Sequence, residues 1–374
     1  MIFPEFNWVD AMVFKYRYDD KNISCVYWEE IDVCKVESLL QETDELQVWY
    51  PLSLSEDVYD KYKDCITYIE LGGKWGEFTH SIENDLKKTE EEILQEYKKT
   101  CRYEVRRAKT KDGLSCELLR TISNDDLREY FDFYNQFAKI KGLPNIQEEK
   151  IESLVKKKMF SIARVYDSAS NLLSTHGYIE DGISGRVSLC TSSSLYRLNK
   201  EEASLISRAN RLLHYFCMIE YKRFGYSLYD FGGLYIGDNQ ALNNVSEFKK
   251  SFGGKIVEYP CGFVIHKSEA DQIEKTLESV MSRERKNIVV WGAGWVGRYA
   301  VKIVKERYNK TISYWIDNKL SDNDNTYSKE RVLDDLDEKD TIIIVAMREQ
   351  TYRSVLGQDN IKRFRKTESV VPLL

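Results

Sequence analysis

The spacing of apolar residues changes twice in the middle of the chain, and this change constrains the fold more than any other sequence feature. Apolar residues first recur every three or four positions, the period of one face of a helix: Ile93, Tyr97, Cys101, Val105 and Ala108. Thr89 and Glu92 have the spacing of a capping box, so we expect a helix to begin here. Two more helices are predicted over about 124–140 and 147–158.

The spacing then becomes two residues. FSIARVY (160–166), LLSTHGYIE (172–180) and RVSLCTSSS (186–194) alternate in this way and are joined by short, turn-rich connections. This pattern predicts three strands of an antiparallel meander. A long amphipathic helix is expected over about 201–224, followed by a strand in YSLYDFGG (226–233).

Composition and charge exclude several classes of protein. The 374 residues suggest two or three domains, and 55 basic against 61 acidic residues argue against a protein wholly devoted to nucleic acid. The first ten residues lack the features of a signal peptide, and no run of about 18 apolar residues occurs. We therefore expect a cytoplasmic protein with no transmembrane segment. Eight scattered cysteines and four histidines without paired spacing predict core thiols and no metal site.

Three separated motifs carry a family resemblance: CRYEVRRAK (101–109), followed by GLSCELL (113–119); SRANRLLHYFCMIEYKRFGYSLYDFGG (207–233); and EFKKSFGG (247–254). In this order they resemble the Fem-type peptidoglycan bridge-forming transferases and their acetyltransferase relatives of the GNAT superfamily, over about 65–266. The resemblance implies an α+β GNAT-like acyltransferase fold with a reduced first lobe and a full second lobe. We expect the reduced lobe over 1–84 and the catalytic lobe over 85–266.

The resemblance also implies which residues act. Lys249 is the lysine of the FK-x-x-FGG element, whose family counterpart is thought to stabilise charge on the donor phosphate or in the transition state. The alternative is a solvated surface lysine. Gly253 and Gly254 allow close backbone approach. Arg208 and Arg211 begin the long helix, where the GNAT fold holds the pyrophosphate of coenzyme A.

The chain lacks a clean Q/R-x-x-G-x-G/A loop at 199–210, and the alternative for the two arginines is pairing with Glu201 or Glu202. His214 and His176 are candidates to take a proton from an attacking amine or hydroxyl, or else satisfied core residues. Asp230 is expected either to orient the acceptor or to be structural.

The C-terminal part carries a different motif. Gly292, Gly294 and Gly297 form G-x-G-x-x-G directly after the apolar run NIVVW, and Asp317 follows twenty residues later. This context predicts a small α/β Rossmann-like domain over 287–374, which a helical connector over 267–286 precedes. We expect it to bind a nucleotide or nucleotide sugar; NAD(P) and a purely structural role are the alternatives.

The predicted function is transfer of an acyl group from acyl-CoA, or a related activated donor, to an amine of a sugar or nucleotide-linked sugar. The expected setting is cell-surface polysaccharide biosynthesis. One alternative is a Fem-like aminoacyl-tRNA-dependent transferase for peptidoglycan precursors, in which tRNA is the partner. The other is a non-catalytic nucleotide-sugar-binding scaffold.

Overall fold

The computed structural model describes residues 12–18, 20–69, 76–194, 203–317, 320, 326–347, 355, 359–365 and 369–373. The chain divides into two compact units. The first consists of Met1–Ile31, Val48–Leu54 and Glu70–Gly262. The second consists of Asp32–Gln47, Ser55–Ile69 and Phe263–Leu374. The boundaries expected from the sequence differ from this division, because residues 32–47 and 55–69 belong with the C-terminal part rather than with an N-terminal lobe over 1–84.

The helices and strands up to residue 119 are, in chain order, β1 (Val13–Tyr18), β2 (Lys21–Tyr27), β3 (Glu30–Ile31), α1 (Val33–Leu40), β4 (Glu45–Trp49), β5 (Ser53–Leu54), α2 (Glu56–Tyr62), β6 (Ile66–Tyr68), β7 (Phe78–Asp85), α3 (Glu90–Glu96), α4 (Lys99–Lys111) and β8 (Ser115–Leu119). Those that follow are α5 (Asn124–Lys141), α6 (Glu148–Lys156), β9 (Phe160–Tyr166), β10 (Leu172–Asp181), β11 (Arg186–Ser194), α7 (Ala203–Arg223), β12 (Leu228–Asp230), α8 (Gln240–Lys250), β13 (Lys255–Pro260), β14 (Phe263–Ile265), α9 (Lys267–Met281), β15 (Asn287–Trp291), α10 (Trp295–Glu306), β16 (Tyr314–Ile316), a 3₁₀ helix (Glu330–Asp335), β17 (Thr341–Val345), α11 (Asp359–Arg365) and β18 (Val370–Pro372).

The first unit is built on a seven-stranded sheet in the order β13-β7-β12-β11-β10-β9-β8. All neighbouring strands are antiparallel except β11 and β12. That parallel pair spans only Arg186–Ser188 against Leu228–Asp230. Beyond it β11 continues to Ser194, whereas β12 ends. The two strands therefore separate in the middle of the sheet, and α7 connects them along the chain.

The antiparallel meander predicted over 160–194 is present as β9, β10 and β11, and the predicted helices correspond to α5, α6 and α7. The strand predicted over 226–233 is shorter, because Gly232 adopts a φ of +67° and turns the chain after Asp230. Helix α8, which contains Lys249, was not predicted as a helix.

The single helix predicted from Thr89 is wrong, because it is two helices. The capping box is present: the Glu92 amide donates to the Thr89 hydroxyl and the Thr89 amide to the Glu92 carboxylate. Helix α3 then ends, since Tyr97 is extended (φ −67°, ψ 142°) and packs its ring against Phe252 at 5.1 Å. The apolar stripe is buried on both sides of this break.

The second unit contains a parallel four-stranded sheet in the order β16-β15-β17-β18. The next two strands along the chain, β16 and β17, flank β15 on opposite sides. The helix expected as a connector over 267–286 is α9, and it is a packed part of this unit. Its Ile273 and Leu277 are fully buried in a core that includes Val290 and Ile344.

The eight cysteines, all within the described part of the chain, form no disulfide. Four of them are buried, but Cys34 and Cys190 are exposed, so not every thiol lies in a core. Among the described residues, no helix has the length and apolarity needed to cross a membrane.

Candidate functional site

A cavity of about 650 Å³ lies where β11 and β12 separate. Strand β11 lines one wall and the residue that follows β12 lines another, while α5, α7 and α8 complete it. The lining residues are Phe137, Lys141, Leu189, Ser192, Ser194, Ser207, Asn210, Arg211, His214, Phe231, Ala241, Asn244, Val245, Glu247, Phe248, Lys249 and Ser251.

Lys249 is held at this cavity by two backbone carbonyls. Its Nζ donates to the oxygens of Gly232 at 3.2 Å and Gly233 at 2.5 Å. Burial lowers the pKa of Lys249 to about 8, and the nearby Asp230 carboxylate opposes this shift. Lys250 instead pairs with Glu247 at 3.1 Å and is not among the residues that line the cavity. The predicted lysine is therefore the one that faces the cavity.

The structure brings the two predicted histidines into contact. His214 on α7 lines the cavity, and His176 on β10 lies behind it with ring centroids 4.1 Å apart. Both side chains are almost fully buried. Burial lowers the pKa of His176 to about 4 and that of His214 well below its usual range. The charges of His176, Lys249 and Arg211 lower the pKa of His214 further. Both imidazoles are therefore neutral near pH 7.

Two tyrosines connect the histidines on the side away from the cavity. His176 Nδ1 lies 2.9 Å from the Tyr178 hydroxyl, which lies 2.9 Å from the Tyr229 hydroxyl. The Tyr229 hydroxyl lies 2.8 Å from His214 Nδ1. His176 Nε2 faces the amide oxygen of Asn210 at 2.6 Å. The four rings thus form a closed group, with the two imidazoles in contact.

The orientation of Asn210 sets the proton positions in this group. An amide oxygen only accepts, so His176 Nε2 carries the proton and its Nδ1 accepts from Tyr178. The Tyr178 oxygen then accepts from the Tyr229 hydroxyl, and the Tyr229 oxygen accepts from His214 Nδ1. The remaining nitrogen of His214, Nε2, therefore has a lone pair, and no described residue makes a hydrogen bond to it.

Asp230 does not line the cavity. It is fully buried, where it accepts from the Ser81 hydroxyl and from the Gly232 amide, and it pairs with Arg186 at 3.0 Å. Burial raises its pKa, and the charge of Arg186 opposes the rise. Of the two roles expected from the sequence, this environment fits the structural one: Asp230 supports the turn whose carbonyls hold Lys249.

The two arginines have different surroundings. Arg208 pairs with Asp112 at 2.6 Å and is not a cavity-lining residue. Arg211 lines the cavity, pairs with Glu104 at 2.9 Å and stacks over the Phe248 ring. Both carboxylates belong to the region of α4. Glu201 and Glu202, the partners considered from the sequence, lie outside the described residues, as does most of the segment before α7.

Gly253 and Gly254 also lie away from the cavity lining. They adopt φ values of +69° and +83°. A Cβ at Gly253 would lie 2.6 Å from the Glu96 carbonyl oxygen, and one at Gly254 would lie 2.7 Å from that of Glu83. These two glycines allow the chain after α8 to pass close to α3 and β7, which positions α8 and its lysine.

In the second unit, the three glycines after β15 have different environments. Gly292 adopts a φ of +117°, and a Cβ at Gly297 would lie 1.9 Å from the Gly292 carbonyl oxygen. Gly294 caps α10 and has no atom within 4 Å of an added Cβ. Asp317 follows β16 and accepts from the Ala293 amide at 3.3 Å. The loop therefore has no room for a side chain at Gly292 or Gly297, but it has open space beside Gly294.

Sequence reasoning missed Tyr178, Tyr229 and Asn210. Two of them carried a local signal. Tyr178 is two residues from His176 on one strand, and Asn210 is four residues before His214 on one helix, so each pair shares a face. Tyr229 carried no comparable signal, because its contact with His214 depends on how α7 crosses the sheet.

Comparisons with known proteins give weak structural similarities. No protein-family model matches the chain, and no curated protein matches it. FemX is similar with a TM-score of 0.48 at 12% identity, over 72% of this chain and 86% of FemX. L-PGS from Bacillus licheniformis is similar with a TM-score of 0.43 at 11% identity, over 68% and 80% of the two chains. A tandem GNAT protein from the clavulanic acid biosynthesis pathway has a TM-score of 0.35 at 10% identity, over 60% and 64%.

Proposed function

We propose that the chain is an acyltransferase of the Fem/GNAT type and that it acylates an amine in the cavity beside β11. The observation that carries this proposal is that one cavity contains both a group that can accept a proton and a group that carries a positive charge. His214 offers an unprotonated Nε2, and Lys249 offers a fixed ammonium. A neutral imidazole accepts a proton from an attacking amine, and a preorganised cation stabilises negative charge as it develops.

The reaction begins when the amine nitrogen attacks the carbonyl carbon of an acyl thioester. A C–N bond forms and negative charge develops on the carbonyl oxygen. His214 Nε2 takes a proton from the nitrogen. The C–S bond then breaks, and the thiolate leaves with a proton returned by the enzyme. Lys249 lies at the same cavity and stabilises either the developing oxyanion or the negative charge of the donor.

The donor we propose is acyl-CoA or a related activated acyl group. Lys141, Arg211 and Lys249 line the cavity together with the carboxylate of Glu247; Arg211 pairs with Glu104, and Glu247 pairs with Lys98 and Lys250 outside the cavity lining. The cationic side chains suit a phosphate-bearing donor. The volume of about 650 Å³ lies within the range of small-molecule sites. The acceptor we propose is an amine of a sugar or nucleotide-linked sugar in cell-surface polysaccharide assembly. An aminoacyl-tRNA donor is the alternative.

The test is transfer of radiolabelled acetyl groups from acetyl-CoA to a panel of amino sugars and UDP- or dTDP-linked amino sugars. Labelled product is measured rather than thiol release, because the exposed Cys34 would react with a thiol reagent. His214→Gln is the test variant and His80→Gln the control. Product formation that depends on His214 supports the proposal. If no amine is acetylated but an aminoacyl-tRNA serves as donor, the acyl-CoA assignment is wrong.

We also propose that residues 287–374, within the second unit, form a Rossmann-like nucleotide-binding domain. The supporting observation is the open space at Gly294 between the tight contacts of Gly292 and Gly297, with Asp317 at the end of the adjacent strand. The preferred ligand is a nucleotide or nucleotide sugar, with NAD(P) as the alternative. Thermal-shift measurements with UDP- and dTDP-sugars, NAD and NADP test this, because a ligand at 100 times its Kd stabilises the native state by about 2.7 kcal/mol. A chain that binds these ligands without transferase activity would be the scaffold.

A further inference from the structure

His214 belongs to a closed group of four buried side chains, the His–Tyr ring. His176, Tyr178, Tyr229 and His214 are each at most 1% exposed. Three hydrogen bonds of 2.8 to 2.9 Å join them in sequence, and contact between the imidazoles closes the ring. Both tyrosine hydroxyls have a donor on one side and an acceptor on the other. Each member is therefore able to pass a proton to the next without moving.

The surroundings of these four side chains are largely apolar, and Tyr178 also makes a side-chain hydrogen bond with the Cys217 thiol, whose pKa burial raises. Phe231, Phe252 and Phe248 pack against the His214 ring with centroids at 5.0, 5.1 and 5.7 Å. Burial disfavours a positive charge on the His214 imidazole, and so do the charges of His176, Lys249 and Arg211. His176 lies deeper, and its Nε2 donates to the Asn210 oxygen. A positive charge is therefore better placed on His176 than on His214.

We propose that Tyr229, Tyr178 and His176 are positioning residues that form a proton relay behind His214, storing the proton taken from the acceptor amine until the leaving group needs it. This proposal rests on the proposed acyl transfer. It assigns a role to two tyrosines and an asparagine that the sequence did not suggest, and it explains how a buried, neutral histidine acts as a base beside two cations.

The proton balance of the relay is simple. When His214 Nε2 gains the amine proton, its Nδ1 proton moves to the Tyr229 oxygen. The Tyr229 proton moves to Tyr178, and the Tyr178 proton moves to His176 Nδ1. His176 is then doubly protonated and donates to both Tyr178 and Asn210. Reversal of the same shifts returns the proton to His214 Nε2 and from there to the thiolate. No bond other than these N–H and O–H bonds changes within the ring.

The test is ¹⁵N NMR of the full chain with labelled histidine. The chain contains only four histidines, so their imidazole signals can be assigned one by one. The expected result at neutral pH is a His214 protonated on Nδ1 and a His176 protonated on Nε2. A His214 protonated on Nε2 would overturn the proposal, since no lone pair would then face the cavity. This measurement needs neither a variant nor a substrate, so its outcome is separate from the outcome of the transfer assay.

Variants test whether the ring acts as a unit. Tyr229→Phe removes the acceptor of His214 Nδ1, so we expect the tautomer of His214 to shift toward Nε2–H. We also expect kcat to fall by about 100-fold, the lower end of the loss for a missing general base, with KM unchanged and with an altered pH profile. Tyr221→Phe is the control, because Tyr221 is equally buried and bonds Ser161 at 2.6 Å rather than the ring. An unchanged His214 tautomer and pH profile in Tyr229→Phe would overturn the relay.

Discussion

The imidazoles of His176 and His214 are in contact, with ring centroids 4.1 Å apart and planes inclined by 34°. One ring belongs to β10 and the other to α7. Because both are buried beside each other, a positive charge on one disfavours a charge on the other. This pair therefore carries at most one proton beyond neutrality. Its protonation affects both the stability of the first unit and the proton transfer proposed for His214.

The first prediction concerns stability in acid. The pKa of His176 is about 4 in the folded chain against an ordinary 6.5, so the unfolded chain binds more protons between these values. The contribution of His176 to the free energy of unfolding is therefore present in full above pH 6.5. It is lost as the pH drops toward 4, and the loss from His176 alone is about 3 kcal/mol. Urea unfolding at pH 7.5, 6.5, 5.5 and 4.5 measures this slope.

The matched variants for that slope are His176→Gln and His80→Gln. His80 is a partly exposed histidine beside Glu258, so its replacement is the control for losing a histidine outside the buried pair. His176→Gln removes one of the two buried imidazoles and makes the slope shallower. Equal slopes in the two variants would contradict the assignment.

The second prediction concerns the two adjacent lysines of α8. Lys249→Ala is expected to lower acyl transfer by about 100-fold, the loss typical of a removed charge-stabilising group. Lys250→Ala is expected to retain activity, because Lys250 pairs with Glu247 outside the cavity lining. Steady-state kinetics of both variants decide between a catalytic and a solvated Lys249, and equal activities would favour the solvated one.

The lowered pKa of Lys249 also predicts that kcat depends on pH. With a pKa of about 8, its ammonium loses its proton as the pH rises through that value. The kcat of the wild type is therefore expected to fall above pH 8. Lys249→Arg keeps a charged side chain throughout this range, so any activity it retains should lack this alkaline decline. A decline that persists in Lys249→Arg would belong to another group.

The third prediction separates binding from folding in the glycine loop of the second unit. Gly294→Ala places a methyl group in open space at a φ of −62°, so the fold is expected to be unaffected. Nucleotide binding should be lost, since the methyl group occupies the place of a phosphate. Calorimetric titration with a UDP-sugar measures this, and unchanged affinity would show that the loop binds no phosphate there.

Gly297→Ala is the contrasting variant. Its Cβ would lie 1.9 Å from the Gly292 carbonyl oxygen, so α10 would have to move away from the loop. We expect the free energy of unfolding to fall by about 2–4 kcal/mol whether or not a nucleotide binds. Thermal unfolding of the free protein checks this expectation.

The fourth prediction concerns Asp230. Asp230→Asn leaves the largely buried Arg186 with Glu83, at 2.7 Å, as its one carboxylate partner among the described residues. We expect a loss of about 3 kcal/mol in the free energy of unfolding, near the value for a broken buried ion pair. Acyl transfer by the folded protein should change much less than in Lys249→Ala. If kcat fell as far as in Lys249→Ala while stability was unchanged, Asp230 would act in catalysis.

The sequence predicted much of the secondary structure of the first unit. The three strands of the meander and helices α5, α6 and α7 are defined by periodicity within single segments, which a local pattern records. The sequence did not predict the break at Tyr97 between helices α3 and α4. The apolar stripe continues through it, and only packing against Phe252, 155 positions later, makes the extended conformation favourable.

The sequence by itself determined which chemical groups are present and predicted the meander strands and helices α5, α6 and α7, because side-chain spacing along one element is a local property. It selected Lys249, His214 and His176. Only the tertiary structure decided their partners: Tyr229 for His214, Asp112 for Arg208 and Arg186 for Asp230. Those contacts join residues 15 to 96 positions apart, and they depend on sheet register and helix packing. Long-range packing also made the two histidines neutral, because burial rather than residue type sets their pKa values.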